Sequence, residues 1–295
     1  MKAAFLLDRG VVRVAGNDAR KFLNGLLTAD MGKVAPGRPA FAALLTPQGK
    51  IIVDFIVAEA DGGFLLDCPR ALAGALAERL AFYRLRAKLT IEDQSEKLHV
   101  IAAWDAAPAL PAAPAPDVCH PDPRHGALGL RLISPRPPAE IATALGATLV
   151  DASAYESHRI ALGVPSGGLD FAYGDAFPHE ADMDQLNGID FKKGCFVGQE
   201  VASRMEHRGL ARTRVVPVAL AGAAPAVGTA VTAGGKPVGV MGAAAEGRAL
   251  AALRLDRVEE ALAAGEQLRS GETVLRLVKP AWARFAFPGE PRAAE

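Results

Sequence analysis

The run Lys192-Lys193-Gly194-Cys195-Phe196-Val197-Gly198-Gln199-Glu200-Val201-Ala202-Ser203-Arg204 sets one thiol between two glycines and beside two lysines. Thiolate is the reactive form of cysteine, and cations or the unpaired amides of a helix start favour it. The spacing predicts a turn running into a short helix with Cys195 at its mouth. Gly194 and Gly198 then mark backbone that needs unusual dihedrals or close approach to a neighbour. Two readings fit these residues: an exposed working thiol, or a small buried hydrophobe below a solvated helix on which Glu200 and Arg204 pair at i,i+4. Lys192, Lys193, Arg204, Arg208, Arg212 and Arg214 outnumber Glu200 and Glu206. That local field suits a small anion or an acidic protein. Direct nucleic-acid binding is not expected, because no series of aromatic residues interleaves the charges for base stacking.

Asp54 is the second candidate. In the run 51–57, alternation puts it on the face of Ile52 and Ile56, where burial penalises a carboxylate unless a partner is present. It could orient or deprotonate a nucleophile, or simply pair with an arginine such as Arg84 or Arg86.

The elements that must position these groups follow from periodicity. Val11 to Val14 reads as a strand, and Asn17 as the N-cap of a helix with Phe22, Leu23, Leu26 and Leu27 on one stripe. Residues 40–45 and 51–57 form a hairpin across Thr46-Pro47-Gln48-Gly49-Lys50. A strand at 64–67, a helix opened by Pro69 and running to about Tyr83, and a strand at 88–92 come next. A strand at 128–133 and helices near 138–146 and 152–162 follow, the last stopped by Gly163 and Pro165. Residues 166–191 are glycine-rich, acidic and irregular. After Arg214, short apolar runs at 215–220, 229–232, 238–242, 248–254 and 273–278 predict a small antiparallel barrel. The proline-rich stretch 106–125 reads as an extended, mobile surface loop. It carries Cys119 and His120, with His125 close by, but such a loop fixes no ligand geometry, so no metal is assigned.

At 295 residues the chain exceeds one ordinary core, and half of it is apolar. Thirty-three basic residues balance thirty-three acidic ones, so no global field draws nucleic acid or an anionic membrane. Three scattered cysteines, Cys68, Cys119 and Cys195, form no disulfide framework and no four-cysteine cluster site. With no apolar run long enough for a signal or a membrane span, the expectation is a cytoplasmic protein without membrane contact.

The segment Lys193-Gly194-Cys195-Phe196-Val197-Gly198-Gln199-Glu200, with Arg204 beyond it, resembles the K-G-C-[FY]-x-G-Q-E signature of the YgfZ family of folate-binding proteins. That family is related to the glycine-cleavage T-protein, an aminomethyltransferase, and to the mitochondrial Iba proteins of iron-sulfur maturation. Phe22 to Asp30, Leu45 to Phe55, Tyr83-Arg84-Leu85-Arg86-Ala87-Lys88 and Arg159 to Pro165 resemble further family stretches, in family order. The resemblance implies a three-lobed α+β fold of T-protein type. Residues 1–38 with 134–210 would form a discontinuous first lobe, 39–133 an inserted α+β lobe, and 211–295 a C-terminal antiparallel β-barrel. It further implies tetrahydrofolate or a derivative as cofactor, with Asp54, Tyr83, Arg86 and Arg159 in its pocket. Cys195 would be the working thiol, supported by Lys193, Gly194, Gly198, Gln199, Glu200 and Arg204. The implied role is accessory: assembly or repair of iron-sulfur enzymes, with client or assembly proteins as partners and an indirect effect on tRNA modification. The T-protein has an acidic pair where this chain has Val53 and Asp54, a departure that counts against aminomethyl transfer. A folate-dependent one-carbon transferase and a folate-independent thiol or sulfur-handling enzyme using Cys195 are the alternatives.

Overall fold

The computed structural model describes residues 1–105, 117–209 and 211–290. Residues 106–116, most of the proline-rich stretch, lie outside that set. The chain divides into two compact units, Met1–Tyr155 with Leu186–Gln199, and Glu156–Gln185 with Glu200–Glu295.

The first unit contains β1 (Lys2–Phe5), β2 (Arg9–Ala15), α1 (Ala19–Leu26), β3 (Ala40–Leu45), β4 (Ile51–Ala60), β5 (Gly63–Pro69) and α2 (Ala73–Arg84). It continues with β6 (Thr90–Asp93), β7 (His99–Trp104), β8 (Val118–Pro121), β9 (Leu130–Ser134), α3 (Pro138–Ala144) and β10 (Thr148–Val150). Two five-stranded sheets result, in the orders β10-β1-β7-β9-β8 and β3-β4-β5-β2-β6. In the second sheet, Val12, Val14, Val53, Phe55, Val57, Phe64 and Leu66 share one face and bury it against Leu23, Leu26 and Leu27 of the α1 segment and Leu76 and Leu80 of α2. Each such side chain removed from water contributes roughly 1.5–3 kcal/mol, which is why this period-2 pattern dictates register. The opposite face meets the first sheet, where β2 approaches β7 and β4 approaches β8.

Several expectations change here. Strand pairing does not divide at residues 38/39 and 133/134: β2 lies between β5 and β6, and β1 lies between β7 and β10. Asp18, not Asn17, is the residue at the start of α1, and its carboxylate accepts from the Lys88 amide at 2.7 Å. Cys119 and His120 sit in β8, paired with Leu132 and Arg131 of β9, and not in an extended loop. Ile52 is the extra residue of a β-bulge, since Leu44 pairs with Val53 and Leu45 with Ile51. It therefore turns to the helix-side core, and Asp54 shares its face with Ile56 but not with Ile52.

The second unit takes most of α4 (Ala152–Leu162) and of α5 (Gln199–Arg208), and then a closed barrel. Its strands are β11 (Thr213–Ala221), β12 (Ala230–Ala233), β13 (Lys236–Ala245), β14 (Arg248–Arg254), β15 (Leu268–Ser270) and β16 (Thr273–Leu277), in the order β11-β14-β13-β12-β15-β16. Val216, Val218, Val231, Leu253, Leu268 and Leu275 fill its core, joined by Leu255 and Val258 of α6 (Leu255–Ala263), which the sequence pattern did not predict. α4 stops as expected at Gly163, whose φ of +75° admits few other residues. No helix among the described residues is long and apolar enough to cross a membrane.

Candidate functional site

α1 leaves its last carbonyls without intrahelical donors, as every helix does. Lys193 reaches this end of the helix: its Nζ donates to Asn24 O of the last turn at 2.7 Å, to Leu27 O at the C-cap at 2.6 Å and to Ala29 O just beyond at 2.7 Å. A cation at a helix C-terminus also suits the dipole. Burial pulls this ammonium down to about 8, against Asp30 and Asp190, which raise it. The Phe196 ring, itself buried, lies 5.2 Å from the same ammonium. Upstream, Thr28 Oγ1 donates to Gly188 O at 2.6 Å, the Asp190 amide donates to Thr28 O at 2.9 Å, and Lys33 is ion-paired to Asp190. Downstream, Gly198 has φ +80° and sits on the β3–β4 turn, where a Cβ would stand 2.7 Å from Thr46 O.

Between these pins Gly194 and Cys195 are exposed. The box is a pedestal: its buried members fix the backbone and Cys195 is what it displays. Three expectations are corrected by this geometry. Lys193 does not face the thiol, because its ammonium is committed to α1. Gly194 has an ordinary φ and open space beside it. Cys195 precedes the first helical residue, Gln199, by a non-helical stretch and does not sit at the helix mouth. Gln199 opens α5 with its amide donating to Phe196 O at 3.2 Å. Glu200 and Arg204 are both exposed and form no ion pair with each other among the described residues.

The other cysteines are chemically quiet. Burial pushes the Cys68 thiol up to about 12, and burial with the Asp117 charge pushes Cys119 up to about 11. One fast-reacting thiol is therefore expected with iodoacetamide at pH 8, mapped by peptide mass analysis to Cys195, with the other two modified only after unfolding. Equal labelling of two or three cysteines in the folded chain would contradict the pedestal.

Asp54 is buried, on the face of β4 that meets the first sheet. Its electrostatic neighbours are Arg9 and Arg124, not Arg84 or Arg86, both of which are exposed. Arg9 Nε donates to Asp67 Oδ1 at 2.6 Å, Asp67 Oδ2 lies 3.6 Å from Arg131 Nη1, Arg131 Nη2 donates to Asp122 Oδ2 at 3.0 Å, and Arg124 grips Asp122 at 3.0 and 2.7 Å. Arg9, Asp67, Arg131, Asp122 and Arg124 thus alternate in sign between the sheets, and the charge of Asp54, acting on both Arg9 and Arg124, completes a ring of three carboxylates and three guanidiniums, with Tyr155 Oη accepting from Arg131 at 2.8 Å. Sequence reasoning missed five of these six. Asp67, an acid inside the apolar run 64–68, was the available signal.

Of the four residues expected around folate, Asp54, Tyr83 and Arg86 belong to the first unit, and they do not converge there. Tyr83 packs on the helix-side core, the opposite face of the sheet from Asp54, and Arg86 is exposed beyond the end of α2. Arg159 belongs to the second unit, where it is buried and fully engaged: with Asp170 at 2.7 Å, Glu156 at 2.7 Å and Val164 O at 2.6 Å. Asp170 also accepts from the amides of Ser166 and Ala243, both at 2.8 Å, so Arg159 fastens the acidic loop to the barrel. In the same unit His179, Asp184 and Glu206 bring ligand atoms within 4.8 Å of one another. Arg214 holds both oxygens of Asp184, at 2.5 and 3.0 Å, which makes this a salt-bridged cluster before it is a metal centre.

Known proteins share this architecture and sequence. The glycine cleavage system aminomethyltransferase T of Bartonella henselae superposes with a TM-score of 0.75 over 97% of this chain and 87% of its own, at 16% identity, a likeness of fold. Residues 212–285 match the family described as CAF17, C-terminal beta-barrel domain. The mitochondrial iron-sulfur cluster assembly factor IBA57 of Homo sapiens is 35% identical over 267 residues, covering 80% of this chain and 73% of that protein. Its Mus musculus counterpart is 34% identical over 287 residues, 86% of this chain and 78% of that one. The homologue from Mycosarcoma maydis is 35% identical over 240 residues, though the match spans only 59% of its length. All three are mitochondrial by name, where the sequence led to a cytoplasmic expectation. With this identity sustained over most of both chains, the protein belongs to the IBA57 family of iron-sulfur cluster assembly factors.

Proposed function

We propose that this chain works in the assembly or repair of iron-sulfur clusters, with Cys195 as the thiol that contacts the cluster as cargo. The observation that carries this reading is the exposure of Cys195 on a loop pinned by Lys193, Phe196 and Gly198, and family membership supplies the class of cargo. Thiolate is a soft ligand suited to iron-sulfur clusters, and binding releases the thiol proton to solvent. One cysteine cannot complete a four-thiolate set. The remaining ligands come from a partner, an iron-sulfur client or assembly protein, and the thiol must be solvent-exposed to meet it. An effect on tRNA modification would be indirect, through a client enzyme that carries the cluster.

Tetrahydrofolate or a derivative is the ligand that the sequence resemblance adds. Within the first unit Asp54 and Tyr83 lie on opposite faces of one sheet and Arg86 is exposed, so no step is routed through folate. One-carbon transfer is the weaker reading, because Asp54 is held among arginines and its neighbour Val53 is apolar. Isothermal titration of the reduced protein with tetrahydrofolate tests the ligand separately from the thiol.

For the main reading, the test is transfer to an apo iron-sulfur client enzyme in the presence of a cluster-loaded donor. The wild type restores client activity and Cys195→Ser falls to the no-factor background, with circular dichroism unchanged. Wild-type transfer by Cys195→Ser would remove the proposal.

A further inference from the structure

The last turn of α2 and the residues after it display two large apolar side chains with no covering. Leu85 is 88% exposed and Phe82 74%, more than any other large apolar residue described. Leu85 also holds φ 47° and ψ −109°, a region that suits glycine and strains a residue with a Cβ by about 1–3 kcal/mol. The turn is braced by Ala87 N donating to Arg84 O at 2.9 Å and by the Asp18 carboxylate on the Lys88 amide at 2.7 Å. Glycine would make the same turn without strain. Phe82 is steadied edge-on by Tyr83, ring centroids 5.6 Å apart, and Tyr83 is anchored on the core.

Around these two side chains stand Arg79, Arg84, Arg86 and Lys88, all exposed and none in an ion pair among the described residues. Glu78 is the one acid between positions 78 and 88. In a chain of zero formal charge this is a local positive rim around an apolar centre. Such anatomy, fixed apolar anchors inside a charged rim, is that of a protein-docking hot spot.

We propose that Phe82 and Leu85, within the rim of Arg79, Arg84, Arg86 and Lys88, dock a protein partner that presents apolar side chains flanked by carboxylates. Charge complementarity selects an acidic partner. The strained turn and the edge-on ring select a protein, since fixed geometry serves a shaped partner surface and is wasted on a fluid bilayer. Nucleic acid has little use for a projecting leucine. This surface is independent of Cys195, so it stands or falls apart from the cluster-transfer reading.

The test selects a displayed random-peptide library on the full-length chain and measures the enriched peptides by fluorescence anisotropy. Enriched peptides carry Asp or Glu flanking Leu, Phe or Trp, and bind about tenfold or more weakly to Leu85→Gly and to Phe82→Ser. Leu85→Gly separates docking from folding, because glycine relieves the strained φ: its melting temperature stays level or rises while binding is lost. Enrichment without acidic bias, or binding indifferent to both substitutions, overturns the proposal. So does binding of phosphatidylglycerol vesicles or poly(U) through the same two residues as tightly as the peptides, which would assign the surface to lipid or RNA.

Discussion

Lys193→Met lowers the stability of the first unit by about 3–5 kcal/mol, read as a shift of its urea unfolding midpoint by circular dichroism. Methionine keeps much of the aliphatic stem but none of the three donors. The carbonyls of Leu27 and Ala29 are buried at their contacts with Nζ, and that of Asn24 is partly so. An orphaned buried acceptor costs about 1–3 kcal/mol, and the lost cation at the end of α1 adds about 0.3–1. Against this, the buried ammonium is itself penalised, as its fall to about 8 records, so the simple sum is an upper bound. Arginine is not a substitute, because a planar fork cannot address three carbonyls around one point. The sign with pH follows from linkage. Between about 8 and 10.5 the unfolded chain keeps a proton on Lys193 that the folded chain has shed, so the wild type gains stability relative to the variant across that window. Cys195 should also lose its distinct labelling rate as the pedestal frays. An unchanged midpoint would mean that water satisfies these carbonyls and the box is held by Gly198 and Phe196 alone.

What could be read from the sequence was what is local. Leu23, Leu26 and Leu27 declared α1 by spacing, and Gly163 declared the end of α4, because both signals lie within a few residues of their effect. The hairpin of β3 and β4 and five of the six barrel strands were visible for the same reason. β8 was hidden because its composition is that of a loop and only its pairing with β9 makes it a strand. α6 was hidden because Leu255 follows directly on the apolar run of β14, so two periods overlapped. The thiol box was legible as a site but not as a mechanism. Lys193 reads in sequence as a neighbour of Cys195, yet its role is set by α1, more than 160 residues earlier. Asp54 was recognised as a buried acid, but Arg9 and Asp67 are brought to it by strand pairing across its own sheet, and Asp122, Arg124 and Arg131 only by the stacking of the second sheet on the first. Pairings of that range have no periodic signature.

The ring between the sheets therefore offers a test of how the first unit is held together. Arg131→Met costs about 3–5 kcal/mol, because it removes one partner of a buried ion pair and leaves the others in place. Arg131 is buried, as are Asp67 and Asp122. In the variant Asp67 keeps only Arg9 and Asp122 keeps only Arg124, and the ring passes from neutral to one excess negative charge. Methionine fills most of the volume, so the loss reports charge and hydrogen bonding more than a cavity. Burial by itself would raise Asp122, but Arg124 and Arg131 hold it well below the usual carboxylate range. A carboxylate depressed in the fold contributes stability that is present at neutral pH and lost as acid titrates the folded state. Removing Arg131 weakens that depression, so acid unfolding of the variant begins at a higher pH than that of the wild type. The double substitution Arg131→Met with Asp67→Asn restores neutrality, and a double-mutant cycle should return a substantial part of the loss. If Arg131→Met instead unfolds with the wild type in urea and in acid, the ring is dispensable for stability, and its six charges are kept for a role other than holding the two sheets together.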